Sequence, residues 1–203
     1  MSDFRPISLS NIVAKIIGRV MTNRLRLILM HIIFEIQSAV LPGHIISDNI
    51  LIAHELLHHI SYKANSKNSL IALKLDMSKA YDQVEWSFLK AIMLKLGFCR
   101  TWVDWTMCFI SFVSCSFLIN GAPRGFVRPT RGIHQGDPFS SHLFLLCAEG
   151  LTCMLRDAEI KKGLTGIKIS RESPKINHIL FTDDTMIFCK ANKEEGNEVM
   201  RFG

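Results

Sequence analysis

The sequence predicts an α+β protein in which helices back an antiparallel sheet. Several segments repeat apolar residues at the spacing of an α-helix, and several short apolar runs have the length of β-strands. The two kinds of segment occur in mixed order, which favours α+β over a regular α/β alternation. With 203 residues, 48% of them hydrophobic, the chain can bury a core, and no linker or internal repeat divides it. We therefore expect one domain.

Two helices are expected first, over residues 11–30 with Ser10 as the cap and over 48–60 with Ser47 as the cap. A polar loop then leads to "LIALKLD" at 70–76, which has the length and composition of a core strand that ends on an acid. The residues expected to face inward on the second helix are Ile50, Ala53, Leu57 and Ile60.

The middle of the chain predicts two more helices and a hairpin. The helices are expected over 79–96 and 101–111, and the apolar run at 105–119 is expected to be buried. The strands of "CSFLINGAPRGFVRPT" would be joined at Asn120 and Gly121, a pair typical of tight hairpin turns. The residues expected to face inward on the third helix are Val84, Phe88, Ala91 and Ile92.

The last part of the chain carries two adjacent acids inside an apolar segment. After the irregular "RGIHQGDPFSS" and an apolar helix over 142–160, the stretch "NHILFTDDTMIF" predicts a hairpin with arms "HILF" and "TMIF". Asp183 and Asp184 would sit on its turn, where Asp is common for reasons of local geometry alone. The other explanation is that they bind a metal ion, and it needs a partner elsewhere.

Asp76 is the candidate partner, because it ends one apolar strand as Asp183 and Asp184 interrupt another. If the two strands are neighbours, three carboxylates converge at one edge of the sheet. Carboxylates are hard oxygen ligands that suit Mg²⁺, whose coordination is completed by water and substrate phosphates. Two such ions can hold the attacking and leaving oxygens of an in-line phosphoryl displacement.

Five segments, which together span nearly the whole chain, indicate a protein family by their residues and by the order in which they occur. They are "FRPISLSNIVAKIIGRVMTNRL", "QSAVLPGHIISDNILIAHELLH", "IALKLDMSKAYDQVEW", "RGIHQGDPFSSHLFLLCAEGL" and "HILFTDDTMIF". The chain resembles the reverse transcriptases of non-LTR (LINE-type) retrotransposons, most closely plant copies. This resemblance implies a fingers-and-palm fold with an antiparallel palm sheet, in which about 1–69 is fingers-like and about 70–203 palm-like, and the thumb is missing.

The resemblance also implies RNA-directed DNA synthesis with Mg²⁺ or Mn²⁺ as cofactor. Asp76 and Asp183 would be the principal ligands of both metal ions, Asp184 an additional acid, and the Met77 carbonyl a further ligand. Tyr81 matches the aromatic residue that lies beneath the incoming sugar. A 2′-hydroxyl would collide with that ring, so deoxynucleotides would be selected by exclusion.

The segment "QGDP" matches the nucleotide-pocket loop of the family. Gln135 would bond near the incoming nucleotide, Gly136 would permit close backbone approach, and Pro138 would open the following helix. Arg5 in "FRPIS" is a candidate contact to the triphosphate or template, because a guanidinium suits phosphate oxygens.

The implied partners are an RNA template, a DNA primer and dNTPs, and no membrane partner is expected. The net charge of +6 and the pI near 9.1 permit a polyanionic partner. The six cysteines form no C-x-x-C pair and no signal segment is evident, so we expect a reduced intracellular compartment, nucleus or cytoplasm, of which the nucleus is what the resemblance implies.

The stretch "HELLH" offers a competing function, because His54 and His58 would lie one turn apart as zinc ligands with Glu55 as the base. Zinc proteases need a third ligand, however, and Ser61 and Ala64 stand where the extended motif has Gly and His. A metalloprotease is therefore the weaker alternative.

A second alternative is a non-catalytic, basic RNA-binding remnant of a retroelement. The family usually has Arg where His44 and His134 stand, Ala at Thr182 and Pro at Ser141. The chain also begins inside the first motif and stops before the thumb, so we expect weak activity or none and a marginally stable fold. The sequence leaves this alternative open.

Overall fold

A computed structural model of the chain describes residues 11–33, 46–63, 69–77, 79–170, 172–181 and 184–201. The helices and strands in this part of the chain are α1 (Ile12–Ile32), α2 (Ile46–Lys63), β1 (Leu70–Asp76), α3 (Trp86–Lys95), α4 (Arg100–Ser111), β2 (Cys115–Ile119), β3 (Ala122–Val127), α5 (Pro138–Ile160), β4 (His178–Phe181), β5 (Asp184–Lys190) and α6 (Lys193–Val199). Mixed helices and antiparallel strands confirm the α+β prediction.

The chain divides into two compact units. The first unit takes the described parts of 1–28 and 79–147, and the second takes those of 29–78 and 148–203. The boundaries fall inside α1 and α5 as well as in the turn after β1. Both units are discontinuous in sequence, whereas the expected fingers-like and palm-like parts are continuous; that assignment stays a prediction.

The second unit is built on a three-stranded antiparallel sheet with the strand order β1-β5-β4. Successive side chains of a strand point to opposite faces, so Ile187 and Phe188 of β5 enter different apolar clusters. Phe188 packs with Ala53 and Leu56 of α2. Ile187 packs with residues of α5 and α6, including Leu155. The antiparallel sheet is therefore backed by helices on both faces.

The first two helices do not begin as predicted. The side chain of Asn11 accepts a hydrogen bond from the Ala14 N–H at 2.8 Å, so Asn11 caps α1, while Ser10 lies outside the described residues. Ser47 is not a cap, because α2 already begins at Ile46.

The predicted third helix begins later than expected. Residues 79–83 form turns, and α3 begins only at Trp86. Lys79 has a φ of 53°, and a residue in the left-handed region cannot continue a right-handed helix. The Asp82 N–H instead donates to the Lys79 carbonyl at 2.9 Å.

The inward faces of α2 and α3 also differ from the prediction. Both helices carry apolar residues on several sides, so helical spacing alone cannot identify the buried stripe. Predicted inward residues that are exposed are Ile50, Leu57, Phe88 and Ala91, while Val84 is buried but precedes α3. The apolar residues that are buried on these helices are Ala53, Leu56, Leu89 and Met93.

The first unit contains a separate two-stranded hairpin, β2–β3. Its turn residues Asn120 and Gly121 have φ values of 50° and 78°, as a type I′ turn requires, which confirms the predicted hairpin. A register irregularity between Cys115 and Phe117 coincides with a φ of 69° at Gly125, as in a β-bulge. The expected burial is wrong, because Leu118 is 71% exposed.

The longest helix among the described residues is α5, which begins at Pro138, as the resemblance implied, and thus four residues before the start expected from the apolar segment 142–160. Its length and composition would allow it to cross a membrane, but 72% of its apolar window is buried within the protein, as in a core helix. The short helix α6 and the isolated bridge between Ile167 and Ile176 were not predicted.

Candidate active site

The pairing of β1 with β5 places Asp76 directly opposite Asp184. Facing residues of an antiparallel pair share one side of the sheet, with Cβ atoms about 4.5–5.5 Å apart. Asp76 is exposed and Asp184 is half-buried, so both carboxylates are accessible to a ligand. The structure thus brings together two of the three predicted acids, while Asp183 lies outside the described residues.

Asp184 belongs to a strand and not to a turn. It is the first residue of β5 and pairs with Phe181, the last residue of β4. The predicted arm "HILF" matches β4, but the second arm begins one residue earlier than expected. The pleat of β5, anchored by the buried Thr185 that follows, therefore sets the direction of the Asp184 side chain.

Two polar contacts lie next to the acid pair and were not found from the sequence. The Lys74 ammonium is 2.8 Å from a carboxylate oxygen of Asp184. The buried Asn49 of α2 donates a side-chain N–H to the Leu180 carbonyl at 3.3 Å, which ties β4 to α2. Both contacts join residues that are distant in sequence, so no local pattern announces them.

Tyr81 and the "QGDP" segment belong to the first unit and are connected through the backbone. The Ile133 N–H donates to the Tyr81 carbonyl at 2.8 Å, two residues before Gln135. The Tyr81 ring stacks on Phe144 of α5, with centroids 4.9 Å apart and an interplanar angle of 15°. The sequence did not predict Phe144 as the support of this ring.

Gln135 and Gly136 form the middle of a tight turn. The Asp137 N–H donates to the His134 carbonyl at 3.3 Å, and Gly136 has a φ of 98°, as the third position of a type II turn requires. Among the described residues, apart from Gly136 and its two chain neighbours, no heavy atom lies within 4 Å of where a Gly136 side chain would begin. The backbone here therefore faces open space, as close approach of a ligand would need.

Asp137 caps α5. Its carboxylate accepts hydrogen bonds from the backbone N–H groups of Phe139 and Ser140; burial raises the pKa of Asp137, and these bonds oppose the rise. Burial also acts on the neighbouring His134, where it lowers the pKa of the imidazole. The negative charge of Asp137 acts in the opposite direction and raises it. Asp before Pro at a helix start is a cap signal that could have been recognised.

The alternative zinc site finds no support in the structure. His54, Glu55 and His58 are exposed on α2, and within the described ranges no group of three or more His, Cys, Asp or Glu residues could hold a metal ion. Asp76 and Asp184 make a group of only two acids in this part of the chain, because Asp183, the third predicted acid, is not among the described residues. Arg5 is likewise outside them.

The sequence matches one protein family over almost its full length. The family described as "Reverse transcriptase (RNA-dependent DNA polymerase)" matches residues 1–202. The chain belongs to the reverse transcriptase family. This membership confirms the resemblance that the five ordered segments indicated, and it makes the zinc protease explanation unnecessary.

Relatives of this reverse transcriptase chain include proteins of non-LTR retrotransposons. It is 28% identical to the Transposon TX1 uncharacterized 149 kDa protein of Xenopus laevis, over 94% of this chain and 14% of that protein. It is 24% identical to the Pol polyprotein from retrotransposable element R2 of Popillia japonica, over 98% of this chain and 26% of that protein.

An uncharacterized mitochondrial protein of Arabidopsis thaliana is 55% identical over 69 residues, which are 34% of this chain and 57% of that protein. The chain thus spans little more than half of this relative and about a quarter or less of the transposon proteins.

Solved structures show the same fold. Telomerase from Candida albicans in complex with a fragment of telomeric RNA has a TM-score of 0.56 at 12% identity, covering 92% of this chain and 32% of that one. Apo telomerase from Candida tropicalis, truncated from the C-terminal domain, has a TM-score of 0.51 at 16% identity, covering 94% and 36%. The reverse transcriptase-like fold is therefore shown for this chain.

Proposed function

We propose that this chain carries the metal site of an RNA-directed DNA polymerase, which extends a DNA primer with dNTPs on an RNA template. The observation that supports this function best is the β1–β5 register, which sets Asp76 opposite Asp184 at the end of the ladder. Accessible carboxylates are the donors that Mg²⁺ or Mn²⁺ takes when substrate phosphates complete the coordination. Membership of the reverse transcriptase family supports the same conclusion.

Asp76, Asp183 and Asp184 would hold the metal ions, together with the carbonyl of Met77. Bound metal supplies charge stabilisation at the attacking and leaving oxygens of the transfer. The chain's own contribution is to fix the carboxylates before substrate arrives: Asp76 and Asp184 are backbone partners in a sheet whose next residues are packed. Such positioning removes the entropy cost of assembling the site during reaction.

The nucleotide would be selected by residues of the first unit. Tyr81 would exclude a 2′-hydroxyl, and the stacked Phe144 limits how far its ring can yield. The turn at Gln135 and Gly136 would approach the nucleotide with its backbone, since Gly136 faces open space. Arg5 would contact the triphosphate or the template.

The deciding experiment measures dNTP incorporation on an RNA template with a DNA primer in Mg²⁺ and in Mn²⁺. Asp76→Asn, Asp183→Asn and Asp184→Asn should each lower incorporation at least about a hundredfold. Asp157→Asn is the matched control, because Asp157 is an exposed acid of the second unit that pairs with Lys161. Equal signals from wild type and the three acid variants would refute the proposal.

RNA binding without catalysis is the second candidate function, and the β2–β3 hairpin favours it. Residues 105–136 contain no Asp or Glu but include Arg124, Arg128 and Arg131. Phe126 is 64% exposed, and the Arg128 guanidinium lies 5.6 Å from the centre of its ring. Exposed aromatic rings beside arginines are suited to stacking on unpaired bases.

A further inference from the structure

Lys74 lies on the same face of the sheet as the acid pair. Lys74 and Asp76 are two residues apart on β1, so their side chains point to the same side. Across the ladder Lys74 pairs with Met186, two residues from Asp184, which puts Lys74 and Asp184 on a diagonal that a long side chain can span.

The ion pair between Lys74 and Asp184 is close but exposed. The Lys74 Nζ is 2.8 Å from Asp184 Oδ2, and the two side chains are 60% and 33% exposed. An exposed pair of this kind contributes little to stability. The pair can therefore open at little cost to the fold, yet the positive charge of Lys74 occupies a carboxylate that the proposed function assigns to a metal ion.

We propose that Lys74 is a built-in counter-ion that competes with the divalent cation for Asp184. The ammonium neutralises part of the Asp76–Asp184 charge while the metal is absent, and it must release the Asp184 oxygen when the metal binds. Lys74 thereby sets the metal concentration at which the site fills. This inference rests on the proposed function only for the nature of the ion.

The test measures Mn²⁺ binding to the full chain without template or primer, from the loss of the free-ion electron paramagnetic resonance signal. Lys74→Met removes the charge and keeps an unbranched apolar side chain. It should lower the Kd for Mn²⁺ about two- to fivefold, the range expected from an exposed ion pair. The gain should shrink in high salt, because screening weakens surface charges.

Three variants separate this role from a general effect of charge. Lys161→Met is the matched control, because Lys161 forms an exposed helical ion pair with Asp157 in the same unit, and its Kd should equal that of wild type. Lys74→Arg keeps the charge and should not tighten binding. In an Asp184→Asn background, the effect of Lys74→Met should shrink, since the carboxylate that Lys74 shares with the metal is gone.

Unchanged or weaker Mn²⁺ binding by Lys74→Met, in a variant whose thermal unfolding in EDTA matches wild type, would overturn the inference. So would an equal gain from Lys161→Met. Because the readout is metal binding, its outcome does not depend on incorporation. A chain that binds Mn²⁺ as described but fails to incorporate dNTPs would contradict only the proposed polymerase function.

Discussion

The ring of Tyr81 lies nearly parallel to the ring of Phe144, with centroids 4.9 Å apart. This stack holds an aromatic side chain between a turn that is bonded to the "QGDP" segment and the long helix α5. A ring supported on one face by a second ring cannot retreat in that direction. The arrangement therefore predicts that both rings contribute to nucleotide selection.

Tyr81→Ala should reduce the preference for dNTPs over rNTPs by about tenfold or more, the range typical of removing one steric contact from a pocket. Tyr81→Phe keeps the ring and should keep the preference. Phe144→Leu removes the supporting ring and should give an intermediate value. The measurement is single-nucleotide incorporation with matched dNTP and rNTP, and an unchanged ratio for Tyr81→Ala would refute a role for the ring in selection.

The exposed hairpin β2–β3 predicts a salt-dependent contribution to RNA binding. Replacing both Arg124 and Arg128 with Ala should weaken binding of single-stranded RNA and lower the slope of log K against log salt by about 1.4, since each phosphate contact contributes about 0.7. Phe126→Ala should weaken binding by about 1–3 kcal/mol with the slope unchanged, because stacking releases no counterions.

The matched control for the hairpin removes the exposed Lys168 and Lys175, an equal loss of charge in the second unit. If this control lowers affinity as much as the hairpin variant does, net charge and not the hairpin explains the binding. The fluorescence anisotropy of a labelled RNA across a salt series gives both the affinity and the slope of log K against log salt.

His178 predicts a loss of stability in mild acid. It is fully buried, and burial, with a smaller contribution from Arg156, lowers its pKa from 6.5 to about 4. The unfolded chain therefore takes up a proton more readily than the folded chain. The free energy of unfolding should fall by about 3 kcal/mol in total as the pH drops below about 6.5, and it should level off near pH 4.

Urea unfolding at several pH values measures the effect of His178. His178→Phe removes the titration, so its stability should depend less on pH in this range, whatever its absolute value. A wild-type curve that is flat between pH 6.5 and pH 4 would contradict the prediction.

The hydrogen bonds of Glu195 predict a second loss of stability at a more acidic pH. Burial acts to raise its pKa, but hydrogen bonds from the Thr165 hydroxyl and from the N–H groups of Lys190 and Thr165 outweigh it, so the pKa lies below its ordinary 4.5. The stabilisation is present above the unfolded pKa and is lost as the pH falls through the lower folded pKa.

Glu195→Ala should destabilise the fold by about 1–3 kcal/mol at pH 7, because it leaves the part-buried donors of Thr165 and Lys190 without their acceptor. Below the pKa of Glu195 in the folded chain, the difference in unfolding free energy between Glu195→Ala and wild type should shrink. Thermal unfolding of both proteins across acidic pH values distinguishes this result from a loss of packing alone, which would not vary with pH.

Several parts of the fold that local sequence determines were predicted correctly, although the caps of α1 and α2 and the start of α3 were not. The strand at 70–76, the arm "HILF" and the Asn120-Gly121 turn follow from short-range patterns, and each appears where expected. The helix α6 could also have been found, because Asn192 three residues before Glu195 is a cap signal, and the Asn192 side chain accepts from the Glu195 N–H at 2.7 Å.

Most of the parts that depend on distant contacts were not predictable. Which side of α2 is buried depends on the sheet against which it packs, and the exposure of Leu118 depends on what covers the hairpin. Among the site residues, the facing of Asp76 and Asp184 was predicted from two strand ends, but Lys74 and Phe144 were not. Their contacts arise only when separate elements meet, and no spacing in the chain encodes them.

The Asp76–Asp184 pair joins positions that are 108 residues apart (184 − 76) in the chain. Closing so long a loop lowers the entropy of the chain before the contacts between β1 and β5 can stabilise it. Pairing of strands that are distant in sequence is slow for that reason. The proposed metal site should consequently form only after β1 and β5 have paired. During synthesis, a nascent chain cannot form this site until β5 has left the ribosome.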